Sequence, residues 1–257
     1  MVLDAAAYRT VLAGERADIV FTDPPYDALS TCHLNPCDDG EDSGDVMVEA
    51  TEFLQTAFGR IADSVTDGAV IYVKCGEWQS LSKLCAATAP NFGDPKDIVV
   101  WVKANSRQGP FYRSQHEFIV VFVAGRAAAT KNFGLTGRGR YRSNVWQYPG
   151  STSRGRGRDL RRFPSGIGPV AMIADALRDC SKRHAVVLDP YGGHGTTLIS
   201  AERTDRRARL IEIQPSYCDI AVQRWEMFSG KHSHLVETNE TFAEVTARRR
   251  AGKEAQE

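Results

Sequence analysis

The sequence predicts an α/β fold, a mainly parallel sheet covered by helices on both faces, and three observations carry that expectation. Apolar runs of strand length recur along the chain, as in Ala17 to Phe21, Ile98 to Val102 and Ala185 to Leu188. Stretches with helical spacing alternate with such runs from Val170 to Phe228, the pattern of parallel strands joined by crossover helices. With 257 residues, 42% of them hydrophobic, the chain can bury one core of ordinary size, so a single domain of residues 1–257 with an insert is the simplest organisation.

Taken in order, Ala17 to Phe21 is a strand that must stop at Asp23-Pro24-Pro25, because proline offers no N–H to a ladder. Residues 27–48 are polar and acidic with Gly40 and Gly44, which reads as a loop before a helix over about Val48 to Ser64. Ala69 to Lys74 is the next strand and Leu81 to Ala89 the next helix. Ile98 to Val102 and Glu117 to Val123 are strands joined by Asn105 to Pro110, which has turn composition. From about 126 to 166 glycine, arginine, serine and aromatic residues follow no sustained period, so this stretch reads as an insert. A helix over Val170 to Cys180, a strand over Ala185 to Leu188, a helix over Thr196 to Arg203, a strand over Ala208 to Ile213 and a helix over Ser216 to Phe228 complete the pattern. The charged tail, residues 231–257, is expected to be a surface helix that frays.

Composition narrows the function classes. No apolar run approaches the roughly 20 residues that cross a bilayer, and the start lacks a basic segment followed by an apolar one, so the cytoplasm is expected and a membrane partner is not. The six cysteines have no paired Cys-x-x-Cys spacing and are expected to be reduced thiols. Cys32, His33 and Cys37 have no second matching pair, so no metal site is assigned. Formal net charge is zero, but its distribution is uneven. Between 126 and 162 lie ten basic residues, among them Arg138, Arg140, Arg142, Arg154, Arg156 and Arg158, against Asp159 as the one acid.

Two motifs carry chemistry. Val186 to Thr197 runs from an apolar strand through Asp189-Pro190-Tyr191-Gly192-Gly193-His194-Gly195 into a helix, a turn whose glycines let backbone approach a ligand and whose helix start offers free N–H groups. Glu212, expected to end the following strand, is placed to accept hydrogen bonds from both hydroxyls of an adenosine ribose. The other motif, Asp23-Pro24-Pro25-Tyr26, suits an exocyclic base amine, whose lone pair is delocalised into the ring until acceptors hold its hydrogens. The Asp23 carboxylate and a backbone carbonyl fixed by Pro24-Pro25 supply such acceptors, and Tyr26 supplies a face for stacking. The plain alternative for those four residues is a strand-ending turn with a surface tyrosine.

Asp23 to Tyr26, then a basic stretch, then Asp189 to Thr196, resembles the beta class of DNA amino-methyltransferases, in which the catalytic motif precedes the cofactor motif. The likeness covers about residues 15–228 and includes Phe111 to Glu117, Arg140 to Trp146 and Asp175 to Ser181. It implies a Rossmann-like S-adenosylmethionine-dependent methyltransferase fold in circularly permuted order, with a target-recognition insert over about 103–165. It further implies that Asp189, Tyr191, Gly192, Gly193, Gly195, Thr196 and Glu212 bind S-adenosylmethionine and that Asp23, Pro24, Pro25 and Tyr26 hold the target amine, adenine N6 more usually than cytosine N4. This chain has Asp27 where the family has asparagine, Gly168-Pro169 where it has Lys-Pro, and a short start, so an edge strand is expected to be shortened or missing.

The insert joins arginines to Tyr141, Trp146, Tyr148 and Phe163, combining phosphate neutralisation with stacking faces. Arg138, Arg140, Arg142, Arg154, Arg156 and Arg158 are therefore the expected DNA contacts, and the expected partner is double-stranded DNA with its target base flipped out of the stack, with room left for a homodimer. The alternatives are the same chemistry on cytosine N4 or on RNA, and a binding module without turnover.

Overall fold

The computed structural model describes residues 2–25, 43–76, 78–109, 111–132, 142–150 and 168–254. In chain order the elements are α1 (Ala5–Leu12), β1 (Ala17–Thr22), α2 (Ser43–Ser64), β2 (Val65–Cys75), α3 (Trp78–Phe92), β3 (Asp97–Arg107), β4 (Ser114–Val123) and β5 (Val145–Gln147). They continue with α4 (Val170–Cys180), β6 (Val186–Asp189), α5 (Thr196–Arg203), β7 (Arg207–Leu210), α6 (Pro215–Ser229) and α7 (Phe242–Glu254). The strands form one seven-stranded sheet in the order β5-β3-β4-β2-β1-β6-β7. β4 runs antiparallel to both its neighbours, while the pairs β1–β2, β1–β6, β6–β7 and β3–β5 are parallel.

Successive side chains on a strand point to opposite faces, and here each face finds its own helices. Val20, Ile71, Val73, Val120, Phe122 and Leu188 share a core with Tyr8 and Leu12 of α1, Phe58 of α2 and Leu84 of α3. Their strand neighbours Ile19, Phe21, Val70, Tyr72, Ile119 and Val187 pack on the other side with Met172, Ile173 and Leu177 of α4 and Ala201 of α5. Burial on both faces is why the central strands carry continuous apolar runs, as in β1 and β6, that are legible in the sequence.

The sequence reading departs from the structure at both ends of the sheet. Residues 2–4 form no strand, as a shortened or missing edge strand requires, but the sequence reading has no helix here: Asp4 accepts a hydrogen bond from the Ala6 N–H at 2.8 Å and caps α1. This helix buries Tyr8 and Leu12 instead of extending the sheet, which ends at β7. At the opposite edge, the stretch read as insert contains β5, pairing Val100 with Val145, Trp101 with Trp146 and Val102 with Gln147. Three residues are too few to show a period of two. In the tail, His234 and Thr241 form an isolated antiparallel bridge before α7. No described helix is long and apolar enough to cross a membrane.

Candidate active site

β1 and β6 lie side by side and parallel, with Ile19 opposite Val187 and Val20 opposite Leu188, so their carboxyl ends open at one place. Asp23 follows one strand and Asp189 ends the other, and both line a cavity of about 310 Å3. This is where an open α/β sheet binds its ligands. Gly168, Pro169, Met172 and Ile173, at the start of α4, close another wall.

On the Asp23 side, strand alternation brings charges together that are distant in sequence. Asp23 continues the face of Ile19 and Phe21, Lys74 that of Val70 and Tyr72, and Lys103 that of Val99 and Trp101, while Glu117 precedes Ile119 on the same face. The Lys74 ammonium donates to Asp23 Oδ2 at 2.6 Å and lies 3.2 Å from Glu117 Oε2, and Lys103 pairs with Glu117 Oε1. The result is an alternating row, Asp23, Lys74, Glu117, Lys103, with Trp101 beneath both lysines at 6.0 and 5.1 Å. Burial by itself disfavours the Lys74 ammonium, but Asp23 and Glu117 outweigh it and hold the group above the ordinary lysine range. Of these four side chains only Asp23 is half exposed.

On the Asp189 side, the carboxylate is buried and surrounded by neutral donors. Thr22 donates to Oδ1 at 3.1 Å, the Tyr191 N–H to the same oxygen at 3.2 Å, and Thr197 to Oδ2 at 2.6 Å. Burial pushes the Asp189 carboxyl up to about 7 despite those hydrogen bonds, with Asp23 adding to the rise. Asp189 therefore ties β1, the turn and α5 together.

The turn itself is shaped by its glycines. A Cβ on Gly192 would stand 3.0 Å from Leu210, and Gly195, at φ +73°, approaches α6 so closely that a Cβ would lie 2.7 Å from Ala221 Cβ. Glu212 braces the turn from beyond β7, accepting from the Gly193 N–H at 2.7 Å and the Gln214 N–H at 2.8 Å. Sequence reasoning set Glu212 at a strand end; the strand stops at Leu210 and the carboxylate is fixed by backbone donors instead. Both oxygens keep lone pairs for a ligand's hydroxyls.

Of the residues singled out from the sequence, Asp23, Asp189, Tyr191, Gly192, Gly193 and Thr196 line the cavity. Gly195 and Glu212 support it from behind, Pro24 and Pro25 follow Asp23, and Tyr26 lies outside the described residues, as do Arg138, Arg140, Arg154, Arg156 and Arg158. Arg142 is not a surface arginine. Its guanidinium pairs with Asp179 at 3.2 Å, sits 3.7 Å from Asp175 and stacks 4.2 Å above Trp146, which pins the β5 segment to α4. Lys74, Lys103 and Glu117 are site residues the sequence reading passed over, though the period-two continuation of each apolar strand marks their face. Cys32, His33 and Cys37 fall outside the described residues, and no metal-binding group of histidine, cysteine and carboxylates occurs among the described ones.

The sequence model of a family described as DNA methylase matches residues 17–223. The chain is 38% identical over 90 residues to the type II methyltransferase M.ScaI of Streptomyces caespitosus, a match spanning 34% of this chain and 29% of that relative. The fold is similar to that of M1.HpyAVI in complex with SAM, with a TM-score of 0.56, 19% identity, and coverage of 85% of this chain and 94% of the other. It is also similar to that of the cytosine-N4-specific PvuII DNA methyltransferase, with a TM-score of 0.61, 15% identity, and coverage of 83% and 82%.

Proposed function

Because the chain belongs to the DNA methylase family, we propose that it transfers a methyl group from S-adenosylmethionine to the N6 amine of adenine in double-stranded DNA. One observation carries the reading: Asp23 and the Gly192–Gly193 turn, from opposite ends of the sequence, line a single cavity. The donor set fits the cofactor. Gly192 and Gly193 face the cavity with no side chain of their own, and Glu212 is held beside the turn with acceptor capacity for ribose hydroxyls. Bound there, S-adenosylmethionine supplies an electrophilic methyl group.

The protein's own part is to make the amine a nucleophile. The Asp23 carboxylate accepts one amine hydrogen and a carbonyl of the Pro24-Pro25 segment the other, which favours the pyramidal nitrogen with its electron pair available. The base must leave the duplex to reach this cavity, and exposed Phe111 and Tyr112 between β3 and β4, close to Arg107 and Arg113, are suited to stack on DNA beside it. The arginines of 138–158 other than Arg142 belong to the same proposed DNA surface.

Cytosine N4 presents the same two hydrogens, and the PvuII enzyme of similar fold is cytosine-N4-specific. Incubation with labelled S-adenosylmethionine and unmethylated double-stranded DNA, followed by nucleoside analysis, tests the reading. N6-methyladenine is expected; N4-methylcytosine would move the assignment to the other base, and no transfer would leave a binding module.

A further inference from the structure

We propose that Lys74 is a positioning residue for methyl transfer: anchored by Glu117, it orients the Asp23 carboxylate and keeps it an ionised acceptor for the target amine. The inference rests on the amine-methylating reading above. Lys74 sits near the end of β2, next to β1 in the sheet, and its ammonium takes one oxygen of Asp23 at 2.6 Å. A carboxylate has a second oxygen and further lone pairs with which to accept from the amine, so the pair fixes the geometry without using up the acceptor. Lys74 is in turn held from the other side by Glu117, whose remaining oxygen is paired to Lys103.

The electrostatics favour this role over simple bracing. Among the described residues, the charged or titratable groups lining the cavity with Asp23 are Lys74 from β2, Glu117 from β4, Lys103 and Arg107 from β3, and Asp189, Tyr191 and His194 from the β6 turn. In the row of Asp23, Lys74, Glu117 and Lys103 two anions balance two cations. Removing Lys74 would take from Asp23 the ammonium paired with it and leave the carboxyls of Glu117 and Asp189 in the same partly closed site, which favours protonation of Asp23. A protonated Asp23 would present a donor where the amine needs an acceptor. Lys74 also stays charged at any working pH, since its neighbours hold it above the lysine range.

The test compares wild type, Lys74→Met, Lys74→Arg and Glu117→Gln, using tritiated S-adenosylmethionine and unmethylated double-stranded DNA across a pH series, with calorimetric cofactor binding in parallel. Lys74→Met is expected to lower kcat by about a hundredfold, the scale of a lost preorganised interaction, with cofactor affinity within about threefold. Its acid limb should move up by about one pH unit. Lys74→Arg, which keeps the charge, should recover at least about a tenth of the rate, and Glu117→Gln should lose about tenfold by loosening Lys74. A Lys74→Met enzyme with wild-type rate, or with an unmoved acid limb, overturns the proposal. A faster Lys74→Met enzyme also overturns it, since the ammonium would then be a competitor for Asp23. If Lys74→Met does not fold, wild-type rates and pH profiles in both Lys74→Arg and Glu117→Gln overturn it instead. A wild-type protein that transfers no methyl group defeats the underlying reading, and this inference falls with it.

Discussion

Asp23 and Asp189 stand at the ends of adjacent parallel strands, each followed by proline, and line the same cavity, yet their surroundings are opposite. Asp189 is 4% exposed and surrounded by two hydroxyls and an amide, so its charge is poorly supported. Asp23 is half exposed and carries an ammonium on one oxygen. Residue type and local sequence do not distinguish them; the neighbouring strand does. Thr22 and Thr197 give Asp189 neutral partners, whereas Lys74 on β2 gives Asp23 a cation. One carboxyl thus becomes a brace and the other a half-exposed group lining the cavity, the proposed acceptor.

The sharpest way to break this comparison is to remove the exposed member. Asp23→Ala should lower methyl transfer by about a hundredfold or more while the protein keeps its melting temperature within a few degrees, because the side chain is half exposed. Single-turnover rates with labelled S-adenosylmethionine measure the first and calorimetry the second. Near-normal turnover would remove Asp23 from the chemistry.

The buried member should report through stability. With its carboxyl pushed up to about 7 in the fold, against about 3.9 in an unfolded chain, Asp189 keeps a proton in the native state that the unfolded state has already lost. Folding stability from this group is therefore greatest below about pH 4, declines as pH rises toward 7, and is level above it. Between pH 5 and 8 the wild type should lose on the order of 2 to 3 kcal/mol that Asp189→Asn does not lose. Denaturant melts with parallel pH dependence in the two proteins would mean that Asp189 ionises freely and the contrast with Asp23 is absent.

How much of this was legible in the sequence follows from the same physics. α4 and α5 coincide with their expected residues because a regular alternation of apolar runs and turn residues brackets them. α1 escaped because its eight residues follow directly on a short start, and β5 because its three residues become a strand only by pairing with Val100 to Val102. At the site, the two motif ends were visible as local patterns. The row Lys74, Glu117 and Lys103 was not, since each residue gains meaning only when β2, β4 and β3 are laid side by side.

Glu212 extends the comparison to a third carboxylate, one held by backbone N–H groups alone in the described contacts. As the proposed ribose acceptor, Glu212→Ala should weaken S-adenosylmethionine binding by about tenfold, the scale of one charged hydrogen bond of roughly 1.5 to 3 kcal/mol. Calorimetric titration reads this directly. Unchanged affinity would leave Glu212 as a brace like Asp189.

The smallest expected effect concerns arginines, where surroundings again divide like residues. Arg142 is paired with Asp179 and stacked on Trp146, so it has no guanidinium to offer a phosphate, and its loss should appear as lower stability. Arg138 and Arg140, in the same basic stretch, are proposed to contact DNA. If each neutralises one phosphate, replacing both with alanine should flatten the slope of log affinity against log salt by about 1.8, at about 0.9 per phosphate. Arg142→Ala should leave that slope unchanged while lowering the melting temperature. Fluorescence anisotropy on a short duplex at several salt concentrations separates the two outcomes. A slope that moves with Arg142 and not with the other pair would show that the ion pair with Asp179 opens on DNA, and would place the phosphate contacts on the β5 side of the cavity.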